Sequence, residues 1–163
     1  MISQTSEYAL RATLFLAARP TDRPASASEI SEATQVPPRY LQRVLRMLAR
    51  EGLLTAQRGT GGGFALAKVP SAISVLDVLK ASDTQMQRIQ RCPLGIKAHR
   101  QLCPLHRMLD GEAARSEQTF AATSLAALLA EAGDGRPLCP PGSPGGVVVP
   151  LLGSDPAPND DRN

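Results

Sequence analysis

Ser26-Ala27-Ser28-Glu29-Ile30-Ser31-Glu32-Ala33-Thr34-Gln35-Val36-Pro37-Pro38-Arg39-Tyr40-Leu41-Gln42-Arg43-Val44-Leu45-Arg46-Met47-Leu48 carries the signals of two helices joined by a tight turn. Ser26 with Glu29 three residues on fits a capping box. Ile30 and Ala33 then point inward, and the helix stops by Gln35. Val36-Pro37-Pro38 makes a turn, and Pro38 suits the first position of a new helix. That helix runs from about residue 38 to 51. Leu41, Val44, Leu45 and Leu48 follow one buried face at i, i+3, i+4, i+7. Arg39, Gln42, Arg43, Arg46 and Arg50 occupy the opposite stripe, and Gly52 is a C-terminal stop. A short helix, a tight turn and a longer helix with a basic, amide-bearing outer face predict a helix-turn-helix.

The flanks extend this unit. Leu53-Leu54-Thr55-Ala56 and Phe64-Ala65-Leu66-Ala67 are short strand candidates around Gln57-Arg58-Gly59-Thr60-Gly61-Gly62-Gly63. Such a hairpin is the wing of a winged helix, and its glycines permit close approach to a phosphate backbone. It is not a nucleotide phosphate loop, because no Gly-Lys-Ser/Thr follows and no helix starts there. Upstream, Ala9, Leu10, Ala12, Leu14, Leu16 and Ala17 give residues 3–18 a helical apolar stripe. Downstream, Ser74 caps a fourth helix. Residues 104–123 are helical in pattern, with Leu105, Met108, Leu109, Ala113 and Phe120, and Thr123 caps a last helix over 124–132.

A basic stripe alone is usually a solvated helix face. Four elements in this order point instead to DNA. Pro38, Arg39, Tyr40, Gln42 and Arg43 lie near the start of the recognition helix and reach furthest into the major groove, with Arg46 behind them. There Arg reads guanine and Gln reads adenine. Arg58, Gly59 and Gly62 in the wing suit the backbone or the minor groove.

A second motif is Cys92-x6-His99-x3-Cys103-x2-His106, which holds both histidines of the chain and two of its three cysteines. Thiolate and imidazole are ligands for zinc and for iron–sulfur clusters. Cys103 and His106 share one face of a helix start. The close Cys-x2-Cys pair of a common zinc finger is absent. The plain alternative is two small buried thiols and two surface histidines. A catalytic Cys/His pair lacks a substrate pocket and an oxyanion site, so no enzyme is expected. Cys139 is expected to be a free thiol.

Bulk properties agree. The 163 residues carry a net charge of +3, with no Trp and three Phe, so the core must be aliphatic. Residues 1–68 hold nine Lys/Arg against five Asp/Glu, and residues 133–163 hold two against four, so an anionic partner belongs to the first part. Glu7 and Arg11 interrupt the apolar N-terminus, which is not a signal peptide, and no stretch approaches a membrane span. Three cysteines do not make a disulfide scaffold. A cytoplasmic protein with reduced thiols is expected. The expected division is a winged helix-turn-helix domain over 1–82, a Cys/His loop over 83–106, a long helix and short terminal helix over 104–132, and a disordered tail over 133–163. That tail holds seven of the fourteen prolines and six of the thirteen glycines. The fold class is therefore mainly α, with a two-stranded wing.

Ser6-Glu7-Tyr8-Ala9-Leu10-Arg11, Val36-Pro37-Pro38-Arg39-Tyr40-Leu41 and Arg58-Gly59-x-Gly61-Gly62-Gly63-Phe64-x-Leu66-Ala67 resemble the Rrf-type winged-helix transcription regulators, the IscR/NsrR-like family. The resemblance covers residues 1–132. It implies a homodimer joined through the long C-terminal helix, a palindromic operator in double-stranded DNA, and a repressor. It also implies an iron–sulfur cluster in the loop that senses redox state, nitric oxide or iron. Cluster-binding members usually carry three cysteines there. Here Cys92 resembles the first, Cys103 the third and His106 a trailing histidine ligand. Ala98 stands near the missing middle cysteine, with His99 beside it. Some members add an acidic ligand from the first helix, matched here by Glu7. The implied ligand set is Cys92 and Cys103 with one or two of His99, His106 and Glu7. Two thiolates favour 2Fe–2S over 4Fe–4S, and imidazole ligation raises the reduction potential of such a centre. A structural zinc, or no metal and control by a partner protein, is the alternative.

Overall fold

The computed structural model describes residues 2–20, 23–59, 61–82, 87–93, 95, 101–132 and 138. Among them are six α-helices and a two-stranded antiparallel sheet: α1 Gln4–Ala17, α2 Ala27–Thr34, α3 Pro38–Arg50, β1 Leu54–Gln57, β2 Gly63–Leu66, α4 Val75–Ala81, α5 Pro104–Ala122 and α6 Leu125–Glu131. This is the mainly α, winged-helix architecture the sequence predicts. No helix of the described residues is long and apolar enough to cross a membrane.

The reading unit forms as its local signals dictate. Ser26 accepts the Glu29 N–H while the Glu29 carboxylate accepts the Ser26 N–H at 2.7 Å, which closes the capping box. α2 ends with Gln35 in the left-handed region, at φ 55°. Arg11 Nη1 donates to the Thr34 carbonyl at 3.2 Å and satisfies one of the acceptors that a helix end leaves open. Pro38 then starts α3. Leu41, Val44, Leu45 and Leu48 are no more than 1% exposed. They form the centre of an aliphatic core with Ala9, Ala12, Ile30, Ile73, Val78 and Leu125.

The wing pairs Leu54 with Leu66 and Gln57 with Gly63. A bridge between Ala25 and Phe64, with N–H···O distances of 2.8 and 2.9 Å, ties its root to the segment that caps α2. Gly63 makes this approach possible, because a Cβ there would stand 2.3 Å from the Ala25 carbonyl oxygen. Gly63→Ala is therefore expected to push the two backbones apart at a cost of about 1–3 kcal/mol. A thermal melt checks this, and an unchanged melting temperature would contradict it.

Several details differ from expectation, and each strand is shifted by one residue from the expected 53–56 and 64–67. A single 3-10 turn, Pro70–Ala72, precedes α4 and was not predicted from the sequence. Ser124 rather than Thr123 caps α6, accepting the Ala127 N–H at 3.1 Å. Thr123 is unsuited because its hydroxyl donates back to Thr119 O at 2.8 Å in the preceding helix. The Thr123 carbonyl accepts from Val75 N and the Leu125 N–H donates to Ile73 O, each at 2.9 Å, so the end of α5 is fastened to the start of α4. The tail expected over 133–163 lies outside the described residues, apart from Leu138, which packs against the core.

Candidate nucleic-acid interface and sensor loop

α3 buries one face and turns the other outward. Pro38, Arg39, Tyr40, Gln42, Arg43, Arg46 and Arg50 are all exposed, as are Arg58 and Gly59 in the wing, while Gly62 is half-buried. The first turn of α3 is ordered from behind. The Tyr40 ring lies 6.2 Å from that of Tyr8. The Arg39 guanidinium stacks 4.6 Å from the Tyr40 ring and donates to its hydroxyl at 2.6 Å. Arg46 Nε donates to Gln42 O at 3.1 Å. The ion pairs among the described residues leave Arg39, Arg43, Arg46 and Arg58 without an acidic partner. Uncompensated guanidinium groups on one exposed helix favour a polyanion. At the wing tip Gly62 N donates to Gly59 O at 2.9 Å, and Gly59 takes φ 97°. That turn leaves Arg58 exposed.

The sensor residues are only partly gathered. Cys103 is the N-cap of α5, and its Sγ lies 3.3 Å from His106 Nδ1 one turn on. This pair fits the two-donor edge of a metal site. Cys92 is half-buried and starts a turn closed by the Gly95 N–H on its carbonyl at 3.1 Å. His99 and Cys139 lie outside the described residues. Glu7 is engaged elsewhere: its Oε1 accepts from Arg11 Nε at 2.5 Å. Glu7 Oε2 is buried with no hydrogen-bond partner among the described residues. No three His, Cys, Asp or Glu side chains come together among them. The described part of one chain thus supplies the Cys103–His106 pair, not a complete ligand set.

An arrangement that the sequence reading missed lies beside this loop. Arg88 donates to both oxygens of Asp110, at 2.8 and 2.9 Å, and approaches Glu117 at 3.7 Å. The Ile89 N–H adds a third bond to Asp110 at 2.8 Å. Arg88 first, and then this N–H, hold the Asp110 carboxyl down to about 2. A carboxylate depressed in the folded state stabilises the fold above its ordinary pKa and loses that effect only as pH falls through the folded value. The pairing is thus intact throughout the neutral and mildly acidic range. The spacing of Asp110 and Glu117 on one helix stripe was the available signal, but no pattern in the sequence names Arg88 as their partner.

α5 itself has no buried residue, and Leu105, Met108 and Leu109 are 58%, 52% and 44% exposed. These three side chains form an open apolar row at the start of α5.

Comparison with known proteins places this geometry. Residues 2–131 match the Rrf2 family, described as an iron-dependent transcriptional regulator. A protein of Synechocystis sp. (strain PCC 6803), slr0846, named as an HTH-type transcriptional regulator, is 36% identical over 86 residues, 53% of this chain. That match spans 58% of the relative's length. Among solved structures, CymR, the global cysteine regulator of B. subtilis, is similar with a TM-score of 0.69 at 21% identity, covering 80% of this chain and 97% of that one. T. potens IscR is similar with a TM-score of 0.67 at 21% identity, covering 83% and 90%. At such identities the two structures speak for the fold.

Proposed function

The chain belongs to the Rrf2 family of transcriptional regulators, which are DNA-binding proteins and not enzymes, and we propose that it is a homodimeric repressor whose operator binding is set by an iron–sulfur cluster in its Cys92–His106 loop. One observation carries this reading. The Cys103–His106 donor pair opens α5, the same helix that exposes Leu105, Met108 and Leu109. A change at the donors is therefore a change at the end of the helix expected to join two copies.

In this account α3 lies in the major groove of each half-site. Arg43 and Gln42 contact base edges, while Arg39, Arg46 and Arg58 contact phosphates. Pro38 and Tyr40 shape the start of the helix, and Gly59 and Gly62 let the wing approach the backbone. Cys92, Cys103 and His106 hold the cluster, with His99 or a second copy's Glu7 completing the set. The cluster, when bound, supplies sensitivity to redox state, nitric oxide or iron supply, and 2Fe–2S suits the two thiolates. The cytoplasm, where thiols are kept reduced, suits a sensor of this kind.

The test is selection of bound sequences from random duplex DNA, followed by footprinting. A palindrome with half-sites about one helical turn apart is expected. Protection of a single half-site by a monomer would overturn the dimeric reading. Arg58→Ala is expected to weaken operator and unrelated DNA alike, and to lower the salt slope of binding by about one. Anisotropy titrations at several salt concentrations check this, and a loss confined to the operator would contradict it.

A second reading has its own support. No three candidate ligands are gathered among the described residues, and CymR, of similar fold, is a cysteine regulator. A regulator with a structural zinc, or with no metal and a partner protein in control, is separated from the first reading by metal analysis.

A further inference from the structure

Gln4, Tyr8 and Arg11 follow one another on α1 at spacings of four and three residues, which places them on one stripe of that helix. The stripe faces the reading unit. Arg11 donates to the Thr34 carbonyl at the end of α2, and the Tyr8 ring lies 6.2 Å from the Tyr40 ring in the first turn of α3. Side chains of the two helices then continue as one row. Gln4 Nε2 donates to the Tyr8 hydroxyl at 2.9 Å. Arg39 Nη2 donates to the Tyr40 hydroxyl at 2.6 Å, and its guanidinium lies 4.6 Å from the Tyr40 ring. Each phenol oxygen thus accepts from a neighbour, so its own proton must point elsewhere. Neither O–H finds an acceptor among the described residues. The Tyr8 ring packs against the core, while its bond to Gln4 lies at the surface. The hydroxyl is therefore the wet end of an anchored ring.

We infer that Tyr8, Tyr40 and Arg39 form a seat for one backbone phosphate of the DNA, which makes α1 part of the interface as well as part of the core behind it. The inference deepens the DNA-binding reading above and rests on it. With the start of α3 in the major groove, the α1 stripe beside that start lies at the groove edge, where the phosphates of one strand run. Arg39 supplies the charge, and it has no acidic partner among the described residues. The two hydroxyls supply neutral donors. Their place is fixed by the ring pair, and the direction of their protons by Gln4 and Arg39. A phenol that accepts from a cation is also a stronger donor. Gln4 touches no phosphate in this arrangement and is a positioning residue for the Tyr8 proton.

Tyr8→Phe tests the seat, because it removes the hydroxyl and keeps the ring in the core. In the full chain it is expected to weaken operator and unrelated duplex alike, about tenfold per half-site, as the loss of one hydrogen bond to a charged group does. The salt slope should not change, since a neutral donor releases no counterion, whereas Arg39→Ala should lower it by about one. A scan of the operator with single neutral methylphosphonate linkages then identifies the partner. One linkage per half-site is expected to weaken the parent, with a cost at least about threefold smaller in Tyr8→Phe. Gln4→Ala is expected to weaken the parent about threefold and to add nothing to Tyr8→Phe. Full affinity in Tyr8→Phe, or a linkage scan identical in parent and variant, would overturn the seat and leave the two rings as packing alone. A parent that binds no duplex sinks the DNA-binding reading and the seat with it, whereas a parent that binds no better than Tyr8→Phe sinks the seat alone.

Discussion

Cys103→Ala is expected to abolish iron binding while leaving the fold intact. The two halves of this expectation have different causes. Cys103 is one of only two cysteines in the loop, and its Sγ stands 3.3 Å from the His106 ring. Removing a direct ligand should cost more than the roughly 10–100-fold in metal affinity typical of losing a group that merely orients one. As an N-cap, however, the Cys103 side chain makes no capping hydrogen bond, and the residue is only half-buried. Its loss to alanine should change stability by no more than about 0.5–1 kcal/mol. Iron and sulfide analysis beside a thermal melt separates these effects. Full iron content in the variant would remove Cys103 from the ligand set, and a collapsed melt would show a structural role instead.

Arg43→Ala is expected to cost about 1–3 kcal/mol of operator binding, roughly 5–150-fold. Arg43 is exposed on the outward stripe of α3, between Leu41 and Val44 of the core face, and pairs with no acid among the described residues. Alanine therefore leaves no buried partner unsatisfied, and helix stability should not suffer. Paired titrations on the operator and on unrelated duplex distinguish base contact from phosphate contact. A loss restricted to the operator is expected. An equal loss on both would move Arg43 to the backbone, and full affinity on both would remove α3 from the groove.

Much of the fold could be read from local chemistry. Ser26 with Glu29, Pro38 at a helix start, and the Leu41–Leu48 face each declare a structure through interactions within a few residues, and each forms as expected. The wing was legible for the same reason, with strand boundaries off by a residue. What the sequence hid depends on contacts between distant segments. The Ala25–Phe64 bridge, the tie of Thr123 to Val75, and the pairing of Arg88 with Asp110 join residues from 22 to 48 positions apart. Nothing in spacing or propensity foretells such pairs. Glu7 shows the same limit from the other side. Its motif suggested a ligand, but its nearest charge is Arg11 one turn away, a partner any helix would offer it. The Cys103–His106 pair was legible because i, i+3 spacing on a helix suffices to join it. Cys92 was not, because no such local spacing joins it to them.

The central claim is that this DNA-binding chain carries an iron–sulfur sensor in its loop. The most direct measurement is the visible absorption spectrum of protein purified without oxygen, with iron and acid-labile sulfide counted in the same sample. The account predicts charge-transfer absorption with iron and sulfide in equal amounts, all lost in Cys103→Ala. A colourless, metal-free protein that binds its operator at full strength would contradict it.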